Sequence, residues 1–348
     1  MSALPADSLP SLIPAAPYRI DVHCHHIPDF YRLSLAEHGI VTAGGIPVPA
    51  WTPEYALAFM TEYGIQTQVV SLSEPGVGYL PAAAERLSMA RKVNDYTRDT
   101  LIGGSALLKD RFGGFAVLPL GRSLSRADVR NAADEARRAV THLGMEGVGL
   151  FSSYGPHYLG DPRLEPLMRT LNELGALVFV HPVTPPNFPD LRLPTFLYEF
   201  PFDTTRAAVS MAYRQVYTRW PRIRWIFAHA GGTLPFVATR ARDLQRRRGL
   251  APTLFRRRFD GRNLDFSTHY YDTALSPARS AVQAAVRVAP RSHLLFATDW
   301  PFAGPVFVVP GDPAPQLSES FDARQRREVE RGNALTLMPR LTRRLENS

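Results

Sequence analysis

Five residues have the types and spacing of a metal-assisted catalytic site: His23, His25, His181, His229 and Asp299. His23 and His25 lie two apart in Arg19–His25, a run that reads as a strand. Side chains at i and i+2 of a strand leave the same face, so the two imidazoles form a clamp for a divalent cation while Cys24 points the other way. His181 ends Leu177–His181, His229 ends Arg224–His229 and Asp299 ends Leu294–Asp299, each again strand-like. A lone histidine is most often a hydrogen-bonded core residue. The same kind of polar ending on four strands is instead what a barrel active site requires. Three imidazoles, one carboxylate and an open position describe a catalytic centre, since structural centres are closed by four protein ligands. Such a set suits one zinc ion best, with manganese or iron also compatible.

The elements that must position these residues alternate between strand and helix. Strands are predicted at Arg19–His25, Gln68–Ser73, Phe115–Leu120, Gly147–Phe151, Leu177–His181, Arg224–His229, His269–Ala274 and Leu294–Asp299. Helices are predicted between them at Pro53–Tyr63, from Ala82 to Phe112, and at Arg126–Leu143, Arg163–Leu174, Thr204–Thr218, Leu234–Arg247 and Pro277–Arg287, with a last one at Ala323–Leu335. Thr52 can cap the first of them, and Pro53 suits a first helical position. Strands joined by helical crossovers are parallel. Eight such units close into an α/β fold, the (β/α)8 TIM barrel of the metal-dependent hydrolase type. An open dinucleotide-binding sheet is disfavoured, because no G-x-G-x-x-G follows the first strand. The insertion His38–Trp51 after that strand is placed to cover an active site.

Length and composition agree with one large domain. The chain has 348 residues, 45% of them hydrophobic, enough for a sizeable core. Residues 1–17 read as a flexible N-terminal arm rich in Pro, Ala and Ser, and residues 18–348 as a single barrel domain. No apolar run approaches the ~18 residues that span a bilayer, and no membrane partner is expected. The single cysteine, Cys24, excludes an intrachain disulfide and fits a reducing cytoplasm. The net charge of +8 comes from scattered arginines, with runs only at Arg246-Arg247-Arg248 and Arg256-Arg257-Arg258. That scatter points to solvated helix surfaces and away from nucleic acid.

Four motifs carry a resemblance. Arg19-Ile20-Asp21-Val22-His23-Cys24-His25, Val180-His181-Pro182, Phe227-Ala228-His229-Ala230-Gly231-Gly232 and Phe296-Ala297-Thr298-Asp299-Trp300-Pro301 resemble the signatures of the amidohydrolase-2 family. That family includes aminocarboxymuconate-semialdehyde decarboxylase and the 2-hydroxybenzoate decarboxylases. Gly44-Gly45-Ile46-Pro47, Leu72-Ser73-Glu74-Pro75-Gly76, Tyr158-Leu159-Gly160-Asp161-Pro162 and the stretch from Glu199 to Arg206 are similar to its 6-methylsalicylate decarboxylase branch. The resemblance implies that His23, His25, His181 and Asp299 hold the metal and that His229 is a neighbouring acid/base. It matches Arg240 to an arginine that reaches the substrate of the other subunit in a homodimer. Two departures stand out. The insertion His38–Trp51 lacks the arginine of the semialdehyde enzyme, and His23 stands where resorcylate-type enzymes have a glutamate.

Other residues fall near the strand ends. His157 and Arg206 could touch a substrate anion, although a turn and a helix ion pair are their ordinary roles. Asp203 and Thr204 read as an N-cap pair. His26 should pack in the outer layer, and Asp272 could orient a ligand histidine. Together these readings predict a carboxy-lyase of the amidohydrolase superfamily acting on a small 2-hydroxybenzoate-like aromatic acid. The alternative is a metal-dependent hydrolase of a lactone, amide or ester using activated water; a barrel that only binds a ligand is the remaining one. Release of CO2 or ring opening by water separates the two enzymes.

Overall fold

The computed structural model describes residues 16–105, 107–108, 110–246, 265–306 and 309–347. Eight parallel strands follow one another around a sheet in chain order. They are β1 Arg19–His25, β2 Ile65–Ser71, β3 Phe112–Val117, β4 Gly147–Phe151, β5 Leu177–His181, β6 Arg224–Phe227, β7 Tyr270–Asp272 and β8 Leu294–Leu295. Backbone beyond β8 returns to β1. Asp299 N donates to His23 O at 2.7 Å, His25 N donates to Trp300 O at 2.7 Å, and Cys24 bridges Trp300 in parallel. The sheet thereby closes as the predicted (β/α)8 barrel.

Local chemistry sets several boundaries. Thr52 Oγ1 accepts from Tyr55 N at 3.2 Å and starts the helix Pro53–Glu62. Ser125 and Asp128 exchange side-chain and backbone bonds at the head of Arg126–Thr141, a capping box. Gly175, with φ 58°, ends Glu165–Leu174 in the left-handed conformation. Cys24 is buried in the hydrophobic cluster that includes Ala56 and Met60 of the first barrel helix, away from the histidine clamp as expected.

Some boundaries differ from the prediction. The helical stretch after Ala82 ends as α-helix at Tyr96, widens to a π-helical turn at Thr97–Ile102 and stops at Gly103. The freed residues let β3 begin at Phe112 instead of Phe115. Between β1 and Trp51 the chain forms a helix, Asp29–Glu37, then a hairpin pairing Thr42–Ala43 with Ile46–Pro47. The helix expected from Thr204 already starts at Glu199 and ends at Tyr213. Asp203 and Thr204 are therefore mid-helix and not a cap. Asp203 accepts instead from the Ser152 hydroxyl and from Val183 N. Most of the expected N-terminal arm and of the two arginine runs lies outside the described residues. Among the described residues no helix is long and apolar enough to cross a membrane.

Candidate metal centre and active site

His23 and His25 end β1, His181 ends β5, and Asp299 follows β8. Each offers one ligand atom; these atoms lie within 4.8 Å of one another, and all four residues are buried. The hydrogen bonds behind the rings fix which nitrogen carries the proton. His181 Nδ1 sits 2.6 Å from Pro182 O, an acceptor only, so Nδ1 holds the hydrogen and Nε2 is bare. His23 Nδ1 is 3.0 Å from the Asp272 carboxylate, which again leaves Nε2 bare. Ser71 Oγ donates to Cys24 O, so it accepts from His25 Nδ1 at 3.3 Å, with the same result. The two bare nitrogens of His23 and His25 face each other at 3.2 Å, and Asp299 Oδ1 lies 3.0 Å from the second. Three converging lone pairs and a carboxylate repel one another unless a cation lies between them. The donor set therefore fits the metal that the sequence implies.

The charges agree. Burial lowers the affinity of His181 and His25 for a proton, so both favour the neutral form that can bind metal. Burial acts on His23 in the same direction, but Asp272 and Asp299 outweigh it and raise its pKa to about 10. That is the pull toward positive charge that a divalent ion would answer. Burial raises Asp299, yet the positive charge drawn onto His23, the contact with His229 and the close approach of the His23 and His25 rings hold its carboxyl well below the usual range. One layer below, burial pushes Asp21 up to about 7 against its bond from Thr298. It accepts from Thr298 Oγ1 at 2.6 Å, Thr298 N at 3.1 Å and His23 N at 3.2 Å, and so ties β1 to the turn bearing Asp299.

His229 stands beside this set. Its Nε2 is 3.3 Å from Asp299 Oδ2, and its Nδ1 is buried without a partner among the described residues. His229 and Asp299 have φ of 57° and 60°, the left-handed region that side chains rarely occupy. Asp272 Oδ1 accepts from His229 N at 2.9 Å and helps hold the first of these turns. Above Asp299 and His181 opens a small cavity of ≈ 100 Å³, walled by carbon from Ile46, Phe196, Phe200, Leu275 and Phe302, with Ser73 among its lining.

A family model described as amidohydrolase matches residues 20–340. The chain belongs to this amidohydrolase family. Decarboxylase macB of Penicillium terrestre is 32% identical over 92% of this chain and 95% of its own. The 6-methylsalicylic acid decarboxylase of Penicillium expansum is 30% identical over 93% and 97%. Among solved structures, a dihydroxybenzoic acid decarboxylase of Polaromonas sp. JS666 shares the fold, with a TM-score of 0.73, 21% identity and coverage of 92% and 97%. It was crystallised with manganese and the inhibitor 2-nitroresorcinol.

In this amidohydrolase the five strand-end residues gather as the sequence suggests, and Asp272 orients His23. The three residues expected near substrate do not join them. Arg206 pairs with Glu199 at 3.0 Å and does not line the cavity. His157 pairs with Asp161 at 3.2 Å within a turn, also outside the cavity wall. Arg240 is exposed on the helix Leu234–Arg246. The carbon wall escaped the sequence reading because its residues come from separate connecting segments with no polar signature. Only Leu275 and Phe302 follow closely on the ends of strands; Ile46, Phe196 and Phe200 lie far along the connections after β1 and β5.

Proposed function

We propose that the protein is a metal-dependent decarboxylase that releases CO2 non-oxidatively from a small 2-hydroxybenzoate-like acid, 6-methylsalicylate being the first to test. The observation that carries this is the convergence of three bare imidazole nitrogens and Asp299 beneath a carbon-walled cavity. Full-length decarboxylase relatives support the reaction class. His23, His25, His181 and Asp299 would hold one divalent ion. Three nitrogens and one oxygen favour zinc, and the manganese of the Polaromonas neighbour makes that ion the alternative. When bound, the ion supplies positive charge that orients the carboxylate and ortho oxygen of the substrate.

The remaining work falls to protein groups. CO2 leaves an aromatic carbon only after that carbon gains a proton. Asp299 rests as the anion, so the proton must reach it from His229, whose Nε2 is 3.3 Å from Oδ2. Nδ1 of His229, which has no hydrogen-bond partner among the described residues, is the position at which the ring can be reprotonated. Cleavage of the ring–carboxyl bond returns its electron pair to the ring, and the proton stays on carbon. Apolar walls suit a ring with alkyl substituents and exclude water from this step.

The barrel acts as one domain over residues 18–348, in a reducing cytoplasm and as a homodimer. Support for the dimer is Phe236, 90% exposed on the helix Leu234–Arg246, with Arg240 one turn further on. Such a face is suited to cover a second copy and carry Arg240 toward its site. The deciding experiment incubates metal-loaded protein with 6-methylsalicylate in heavy water. Expected are CO2 and a phenol carrying one deuterium at the vacated carbon. No CO2 from 6-methylsalicylate, with oxygen-18 from labelled water entering the new acid group of a lactone or ester assayed in parallel, would establish a hydrolase instead.

A further inference from the structure

Glu74 follows β2 and belongs to no part of the centre described above, yet its carboxylate joins three loops. Oε1 accepts from Gly44 N, at the tip of the hairpin after β1. Thr184, three residues after His181, gives Oε2 its backbone N–H at 2.6 Å and Oε1 its hydroxyl at 3.0 Å. With that hydrogen spent, the Thr184 oxygen accepts from Thr195 Oγ1 at 2.7 Å. Phe196 N returns to Gly44 O at 3.2 Å and completes a ring of hydrogen bonds.

The ring surrounds the cavity roof. Ala43 and Ile46 of the hairpin and Phe196 and Phe200 of the facing segment are all in the cavity wall. The halves touch without spare room. A Cβ on Gly44 would meet Phe200 Cζ at 2.9 Å, and one on Gly45 would meet Pro194 Cα at 2.8 Å. Glu74 itself is held from below, where Tyr31 OH donates to Gly76 O at 2.7 Å and Gly76 N to Ser73 O at 3.0 Å. A carboxylate fixed at its base and satisfied by donors from two other loops costs the most to lose, since each donor is then left unpaired.

We propose that Glu74 is a positioning residue that holds the roof onto the bound acid, so that Ile46 and Phe196 set the largest ring substituent admitted. The substituent limit rests on the substrate class proposed above; the clamp itself rests only on the hydrogen bonds. The test is Glu74→Gln in the full-length, metal-loaded enzyme. Hydrogen exchange should accelerate by about tenfold or more in residues 42–47 and 182–198, the scale of one lost bond to a charged acceptor. KM for 6-methylsalicylate should rise by about the same factor, with kcat within about threefold and metal content unchanged. A 6-propyl analogue should gain relative to the 6-methyl acid. Should that variant fail to fold, Thr184→Val with Thr195→Val removes the hydroxyl half of the ring and should move the same readouts. Unchanged exchange in both segments would overturn the clamp, as would kcat and metal falling together with KM unmoved. If the wild type decarboxylates no hydroxybenzoate while the variant exchanges faster, the substrate reading fails and the clamp stands.

Discussion

His25 and His26 are neighbours in the chain, both buried, and chemically opposite. Ser71 holds both rings: its hydroxyl faces His25 Nδ1 at 3.3 Å, and its carbonyl accepts from His26 Nδ1 at 3.1 Å. The difference is in the second nitrogen. His26 Nε2 meets the Thr97 hydroxyl at 2.8 Å, so both ring nitrogens have a protein partner. His25 Nε2 instead meets another bare imidazole nitrogen at 3.2 Å and a carboxylate at 3.0 Å. Burial and residue type do not separate a ligand from a structural histidine. What separates them is a lone pair left over after the local hydrogen bonds are assigned.

The sharpest way to break this contrast is to remove one leftover lone pair. Purified wild-type protein is expected to carry close to one divalent ion per chain. His181→Ala should lose most of it, and activity should fall by more than the ~10–100-fold typical of losing an outer partner. Elemental analysis alongside the rate decides: a variant that keeps its full metal content would show that the lone-pair argument picked the wrong ring. His229 tests the same idea from the other side. Its Nε2 is engaged with Asp299, and it is not one of the four donors. His229→Ala should keep the metal and lose ~10²–10⁴-fold in kcat, the range of a positioned acid/base. Metal loss equal to that of His181→Ala would make His229 a ligand and redraw both roles.

The barrel and the candidate metal centre were legible in the sequence for one physical reason: both follow from strand periodicity. Two-residue spacing placed His23 and His25 on one face, and strand ends placed His181, His229 and Asp299 at one rim. Where periodicity fades, the reading failed. The π-helical turn Thr97–Ile102 looks like ordinary helix in sequence, so β3 was expected three residues late. The start at Glu199 hid behind Pro201, and Asp203 was read as a cap when its carboxylate serves Ser152 and Val183. Arg206 and His157 drew notice as charged groups near strand ends, but their partners lie within two turns on their own segments. The cavity wall is carbon from several connecting segments, and nothing local marks such residues as neighbours.

The smallest effect on catalysis, and the cleanest contrast with the centre, belongs to a histidine elsewhere in the core. His269 precedes β7 and is buried among Tyr217, Phe227 and Phe266, with ring centroids 4.2, 5.6 and 6.4 Å away. Its Nε2 has no hydrogen-bond partner among the described residues. Here too a ring nitrogen is left unpartnered, but among the described residues no group of metal-ligating atoms gathers around it. Burial lowers its pKa to about 3, only partly opposed by the charge of Asp265. The sign of the linkage follows. Above the unfolded value of about 6.5 both states are neutral and the group does not affect stability. Between 6.5 and about 3 the unfolded chain binds a proton that the folded one refuses, so stability falls as pH drops, by up to ~1.4 kcal/mol per unit. His269→Phe keeps a ring among aromatic neighbours and removes the titration. Activity and metal content at pH 7.5 should match the wild type, and urea unfolding at that pH should differ by no more than ~1 kcal/mol. At pH 4.5 the variant should have lost ~2–3 kcal/mol less than the wild type. Equal acid losses in the two proteins would mean that His269 takes up its proton in the folded state, and that its burial does not exclude charge as the packing implies.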